Sequence, residues 1–443
     1  MPSPLQRLAR LHPLQRVAFI AWALLLIGVS ARVLIAPVRS HTVVPIYLTA
    51  AERWLESAPL YHHAPPLDVY RNPPGVAAAF VPFTWLPERL AGLVWRWLGV
   101  ALFLTGLARW MREGLPRPLS PGESGVVLTL VSILAVPSVN NGQANMLMVG
   151  ALLYGATAAA RVPCWWKPGA QFAIPARQRV YASAGVWLAV AASVKVYPAA
   201  VGLLVGLVDR RRVYPWFFGV ALVLFALPFA LRDPDYVATE CENFLIHVLA
   251  DDRTWAALAR APQDIFLALR VWVAPPPVEI YLMAKLAVAV GMAGLVGLVL
   301  RQTHDPRIVS SIGFHLGCVW ITVLGPATEI QTYVLLAPTA AVMVVQAAAE
   351  RQGARLIRFG LAIVGYGLLI VPIFRDMFPQ GKAFHALALP PIGGTLVLVA
   401  VIWSAVRAIR MAPTASSVEP PQFTPPETPT LEERHTCPTD RAA

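Results

Sequence analysis

The sequence predicts an all-α, polytopic membrane protein of about twelve transmembrane helices, and three features carry that expectation. The chain has 443 residues, of which 57% are hydrophobic and only 14% charged, with a mean hydropathy of +0.59. Such a composition leaves more apolar surface than a soluble fold can bury. Long apolar runs recur along the chain, and basic residues collect at their ends. Proline, glycine and amides interrupt those runs at intervals, as bent or broken membrane helices require.

The formal net charge of +12 would point to nucleic acid in a soluble protein. Here the arginines flank apolar segments, where the positive-inside rule accounts for them, so membrane lipids rather than nucleic acid are the expected partners. Cys164, Cys241, Cys318 and Cys437 are widely separated and show neither a disulfide framework nor zinc-ligand spacing.

From the amino terminus, basic residues precede an apolar run over 17–36 that is long enough to span, and it reads as an uncleaved first span with Arg32 near its far end. Residues 37–74 then form a polar first outer loop. Within it Tyr47, Leu48, Ala51, Trp54 and Leu55 share one helical face, and Thr49, Glu52, Arg53, Glu56 and Ser57 the other. That pattern predicts an amphipathic helix lying on the membrane. The stretch after it, PLYHHAPPLDVYRNPP, places His62, His63, Asp68, Tyr70 and Arg71 among prolines that forbid regular helix, and the whole of 39–74 reads as an outer-face lid over a site.

Further apolar segments fall near 90–108, 124–137, 144–160, 180–194, 199–208, 214–231, 279–300, 308–324, 333–348, 357–374 and 392–406. Arginines at 109, 112, 117, 161, 177, 179, 210–212, 301, 307, 351, 355 and 358 fall in alternate loops, which are therefore cytoplasmic. The other set of loops faces outward. Residues 76–86 are apolar but short, and are expected to be re-entrant or paired with a neighbour, since a full crossing there would invert everything downstream. Residues 1–410 thus form one transmembrane domain. The proline-rich stretch 411–443 is expected to be a disordered cytoplasmic tail.

Chemistry is expected where polar residues break apolar sequence on the outer face. Asn140, Asn141, Gly142, Gln143 and Asn145 form an amide cluster that suits sugar hydroxyls or a phosphate, and that would equally serve as a helix-capping turn. Lys195 stands between two apolar segments and is a candidate for a phosphate partner, with snorkelling to headgroups as the bland alternative. Glu329, in GPATEIQTYVLLAP, is a candidate base or sugar ligand, or else a helix cap. Asp251 and Asp252 read as a solvated turn. The pair His62 and His63 lacks companions at ligand spacing, so no metal is expected.

The order of the polar first loop, YRNPPGVAAAFVPFTWLP, NNGQAN, VKVYP and GPATEIQTYVLLAP, running from about Thr42 to Pro338, resembles glycosyltransferase family 87. These are multispanning enzymes of the GT-C superfamily, related to mycobacterial polyprenol-phosphate-mannose-dependent mannosyltransferases. The resemblance implies a GT-C-like fold and an inverting hexosyltransferase. Such an enzyme moves a hexose, mannose in the best-known relatives, from a polyprenyl-phosphate donor to a hydroxyl of a glycolipid or other envelope acceptor. Transfer would occur on the periplasmic face of the inner membrane, without a cofactor.

Enzymes of this superfamily use an acidic residue of the first outer loop as base. Where an aspartate would follow the first span, this chain reads Arg39, Ser40, His41, Thr42. Candidates for the base are then His41, Asp68, Glu329 and Glu52, the last also a candidate substrate ligand. Arg71 and Lys195 are the candidate cations for the leaving phosphate. Asn141, Gln143 and Asn145 would orient sugar hydroxyls, and Tyr70 or Trp54 would supply an apolar wall. The competing readings are a lipid-linked sugar flippase or carrier, which would place ionisable groups near mid-membrane, and a catalytically inactive GT-C-like protein.

Overall fold

In the computed structural model, which describes residues 11–37, 42–63, 65–162, 174–250, 253–258, 260–325, 328–350, 355–377 and 385–412, the apolar runs fold as helices packed on one another. His41, with Arg39 and Ser40, lies outside the described residues, as do Asp251, Asp252 and the tail from 413 onward.

The first helix, α1 (Pro13–Ile35), is about 34 Å long at 1.5 Å per residue, enough to cross a bilayer. Proline opens it and the side chain of His12 caps it, accepting from the Leu14 N–H at 3.3 Å. A short amphipathic helix, α2 (Val44–Glu56), follows in the first loop. Next comes α3 (Pro74–Thr84), eleven residues and about 16 Å, too short to span. The long α4 (Glu88–Arg109) ends in a wide turn over Trp110–Gly114.

Two consecutive helices, α5 (Pro121–Asn141) and α6 (Asn145–Ala159), meet at the amide cluster, and α7 (Ile174–Val194) packs on α6. Beyond Pro198, α8 (Ala199–Gly206) runs only eight residues before the chain reverses at Asp209 into α9 (Arg210–Leu231). The reversal shows in the Tyr214 hydroxyl donating to Leu203 O at 2.7 Å, and in Gly202, where a Cβ would lie 2.8 Å from the Phe217 ring.

The second long loop carries α10 (Pro234–Ala250) and α11 (Ile265–Trp272). The remaining helices are α12 (Val278–Thr303), α13 (Pro306–Val323), the shorter α14 (Ala337–Ala349), α15 (Arg355–Ile370) and α16 (Leu389–Met411). Among the described residues eight helical segments are long and apolar enough to cross a membrane, and three apolar helices are shorter. The protein is therefore an all-helical, multi-pass membrane protein, and length and composition support eight crossings among the described residues, short of the roughly twelve expected.

Two main apolar cores, with a small third one around Ala261, Leu267, Ala268 and Ala388, hold the molecule. The larger lies among the spans, with α6, α13 and α14 almost wholly enclosed. The smaller gathers Tyr47, Leu48, Ala51 and Trp54 of α2 against Phe80 of α3, Ala91 of α4 and Val237 of α10. The apolar face expected to lie on lipid is thus covered by the protein itself, while Leu55, assigned to the same face, is exposed. The first loop is also strapped down. Leu60 N–H donates to the buried Glu240 carboxylate at 2.8 Å, Tyr236 OH to Ala58 O at 2.9 Å, and Arg232 to Leu55 O at 2.7 Å. A segment anchored at three points is a fixed roof rather than a free lid.

The arginine-rich ends of the spans come together away from that roof. Glu113 reaches both Arg109 (3.3 Å) and Arg161 (3.4 Å), and Glu350 joins Arg407 (2.6 Å) and Arg358. These pairs link loops that the charge pattern assigns to one side.

Candidate functional site

The site is built where α5, α7 and α13 end. Gly142 closes α5 in the left-handed conformation (φ 73°), with its N–H donating to Ser138 O at 3.0 Å, which sends Gln143 inward and starts α6 at Asn145. Arg96 of α4, only 5% exposed, braces this turn. It donates to Val139 O (2.9 Å), Asn140 O (3.1 Å), Gly92 O (2.9 Å) and Thr42 Oγ1 (2.8 Å). The start of the first loop is tied to the same turn by Val43 N–H and Thr42 OH, both donating to Asn141 O at 3.0 Å.

Pro198 opens α8 from its N-cap position and α7 stops at Val194, which leaves Lys195 and Tyr197 on a short connection. Asn72 of the first loop donates to the last carbonyl of α7, Val194 O, at 2.9 Å. Beyond α13, Glu329 precedes a 3-10 turn over Ile330–Leu335, and its N–H donates to Thr332 Oγ1 at 3.4 Å.

These pieces surround one cavity of about 790 Å³. Asp68, Arg71, Asn141, Gln143, Lys195 and Glu329, each singled out from sequence, line it. A chain of hydrogen bonds runs along one wall. Gln143 Nε2 donates to Glu329 Oε2 at 3.0 Å, and Asn145 Nδ2 donates to Gln143 Oε1 at 2.6 Å and to Gln331 O at 3.1 Å. Asn145 Oδ1 accepts from Lys195 Nζ and Tyr197 OH, each at 3.5 Å, and Asn145 is itself 0% exposed. Lys195 Nζ also sits 5.6 Å from the centre of the Tyr197 ring.

Electrostatics differ among the ionisable groups. Burial first, and then the Arg71 and Arg253 charges, lower the Lys195 ammonium to about 8 against the pull of the Glu329 charge. Burial alone would raise the Asp68 carboxyl, but the hydrogen bond and charge of Arg71 hold it below the usual range. The two oxygens of Asp68 take Arg71 at 2.6 and 3.2 Å. The carboxylate of Glu329 meets Arg253 Nη1 at 3.5 Å.

Sequence expectations are corrected at four residues, of which Asn145 is wholly buried behind the cavity wall and reaches the lining only through Gln143 and Lys195. Glu52 does not join the cavity; it borders a separate one of about 150 Å³ with Thr49, Thr84 and Glu88. Five residues along a helix from Tyr47 it points about 140° away, to the far side of α2. Tyr70 is no cavity wall either, but a core residue packed on Tyr61 and Tyr47, with its hydroxyl donating to Pro73 O at 3.1 Å. Trp54 is likewise buried, against Tyr236.

Sequence reasoning missed Arg253, His247 and Tyr197, all of which line the cavity. Arg253 did carry a signal, as an arginine in a loop assigned to the side that basic residues avoid. Phe244, Val248, Leu203 and Trp320 form an apolar side to the same cavity.

A helical, multi-pass membrane protein with a charged, amide-lined chamber at one end of its spans is the class that this fold and site define. Residues 70–322 match the sequence model of Glycosyltransferase family 87, more than half of the chain. The chain belongs to glycosyltransferase family 87 and is a membrane glycosyltransferase by that membership. No curated protein matches it. Among solved structures, the crystal structure of ArnT from Cupriavidus metallidurans in the apo state matches with 13% identity and a TM-score of 0.40, covering 88% of this chain and 78% of that one.

Proposed function

We propose that this glycosyltransferase moves a hexose, with inversion, from a polyprenyl-phosphate donor to a hydroxyl of an envelope glycolipid at the periplasmic face of the inner membrane. The observation that carries the reading is the continuous chain from Lys195 through Asn145 and Gln143 to Glu329 along one cavity wall. It sets a cation, two amides and a carboxylate side by side next to an apolar wall. That combination suits a phosphate, sugar hydroxyls, an acceptor proton and an isoprenoid chain respectively.

In the reaction the acceptor oxygen attacks the anomeric carbon as the bond from that carbon to the phosphate oxygen breaks. The bonding pair leaves with polyprenyl phosphate, whose growing charge falls to Lys195 and Arg71. The acceptor proton passes to a carboxylate. Glu329 is the better base, because its oxygens meet one neutral amide and one arginine at 3.5 Å, whereas Asp68 is gripped by Arg71 through both oxygens. Gln143, with Asn141 beside it in the cavity lining, orients hydroxyls of the transferred sugar, and Asn145, buried behind them, holds Gln143 and Lys195 in place. The clustering of ionisable groups in one chamber with the ends of α5, α7 and α13 favours transfer at a membrane surface over a carrier with charges at mid-depth.

The test is to give the purified protein, in lipid, a radiolabelled polyprenyl-phosphate mannose and cell-envelope extract. Label in a new glycolipid is the expected result. Label that crosses the bilayer still attached to its original lipid would instead identify a flippase, and label left in place would identify an inactive relative.

A further inference from the structure

His247 stands on α10, between the apolar residues Phe244 and Val248, and all three line the cavity. One face of its ring stacks on Tyr61 of the first loop, with centroids 5.9 Å apart and planes 25° apart, and Tyr61 in turn packs on Phe244 and Tyr70. The Tyr61 hydroxyl is already used, donating to Asn72 O at 2.8 Å. The imidazole is therefore held in place from behind by rings whose own polar groups are satisfied. Its Nε2 is enclosed and has no hydrogen-bond partner among the described residues.

An enclosed ring nitrogen without a partner costs free energy that a bound group recovers. Resting on the transferase reading, we infer that His247 is a further substrate-contacting residue, whose Nε2 hydrogen-bonds a hydroxyl of the hexose carried by the lipid donor. A hydroxyl both donates and accepts, so it satisfies an imidazole nitrogen in either tautomer, whereas a phosphate oxygen satisfies only the protonated one. The cations of the cavity already provide for the phosphate. His247 thus distinguishes the sugar-bearing lipid from the spent one.

The experiment compares two lipids on the full-length protein in nanodiscs: polyprenyl-phosphate mannose and polyprenyl phosphate without sugar. His247→Phe keeps a ring on Tyr61 but removes both nitrogens. It should weaken binding of the sugar-bearing lipid about tenfold, the worth of one hydrogen bond, and leave the bare lipid unchanged. His247→Gln, which restores a donor and an acceptor, should recover most of the loss. Equal affinity of wild type and His247→Phe for the sugar-bearing lipid would overturn the inference, and so would a parallel loss for both lipids, which marks a structural role. Failure of the wild type to bind either lipid would instead remove the donor assignment, and this inference with it.

Discussion

Gln143 and Glu329, 186 positions apart in the chain, meet at 3.0 Å on one wall of the cavity, the amide nitrogen donating to the carboxylate. Neither residue belongs to a motif that demands the other. They meet because Gly142 turns the chain at the end of α5 and because the segment after α13 folds back as a 3-10 turn beside it. The contact fixes the carboxylate's direction while leaving its second oxygen to Arg253 and the cavity.

The first prediction follows from that carboxylate. Glu329→Gln should lower turnover of labelled polyprenyl-phosphate mannose by about 10²-fold or more, the usual worth of a general base, with little change in donor binding. Asp68→Asn should cost about tenfold or less, since it loosens Arg71 without removing the proton acceptor. Turnover measured at saturating donor decides the matter, and the opposite ranking would move the base to Asp68.

A second concerns Lys195. With its ammonium lowered to about 8 by burial, the side chain is charged below that pH and neutral above it. Affinity for polyprenyl phosphate should therefore be flat at lower pH and fall about tenfold per unit once pH exceeds about 8, until the pKa of the bound form is reached. Lys195→Arg, charged throughout, should lose this dependence, and Lys195→Met should bind weakly at every pH. Titration of the lipid into nanodiscs between about pH 6 and pH 10 reads all three. A wild-type curve that is level across that range would dissociate Lys195 from the phosphate.

Much of this arrangement was legible in the chain, for an identifiable reason. Lys195, Gln143 and Glu329 interrupt apolar runs, and polar groups at such breaks are expensive unless they converge on something. His247 was hidden because a polar outer loop gives no contrast against which a histidine stands out, whereas Arg253 was visible only as a basic residue on the side such residues avoid, and Tyr197 was overshadowed by the neighbouring Lys195. Glu52 misled because an amphipathic stripe separates two faces without saying what either meets. The face read as lipid-bound is covered by α3, α4 and α10, and Glu52 looks away from the cavity. Tyr70 failed in the same way, since a tyrosine among prolines looks solvent-exposed until its ring is seen packed on Tyr47 and Tyr61.

The turn before Gln143 yields a third prediction. Gly142 has φ 73°, and a Cβ there would lie 2.8 Å from Arg96 Nη2 and from Val44 Cγ2. Gly142→Ala should destabilise the protein by about 1–3 kcal/mol through backbone strain, with a further cost from displacing the guanidinium. Thermal unfolding in detergent measures the effect. Combined with Arg96→Lys, which shortens the brace, the loss should be less than the sum of the two single changes, because both act on the same contact.

The last prediction separates anchoring from chemistry. Glu240 is 2% exposed, and its two oxygens accept from Leu60 N–H (2.8 Å) and Asn243 Nδ2 (3.1 Å). It is the buried point at which α10 holds the roof formed by the first loop. Glu240→Ala leaves the Leu60 amide without its acceptor, at a cost of about 1–3 kcal/mol, whereas Glu240→Gln keeps an oxygen for it and should be milder. Amide exchange should quicken in residues 58–63 and 65–72, while the packing of α6, α13 and α14 keeps its protection. Since Asp68, Arg71 and Tyr61 all ride on that roof, donor affinity should fall in step with the loss of protection. If exchange in the loop accelerates with no change in donor affinity, the roof does not contribute to the cavity's grip on its substrate.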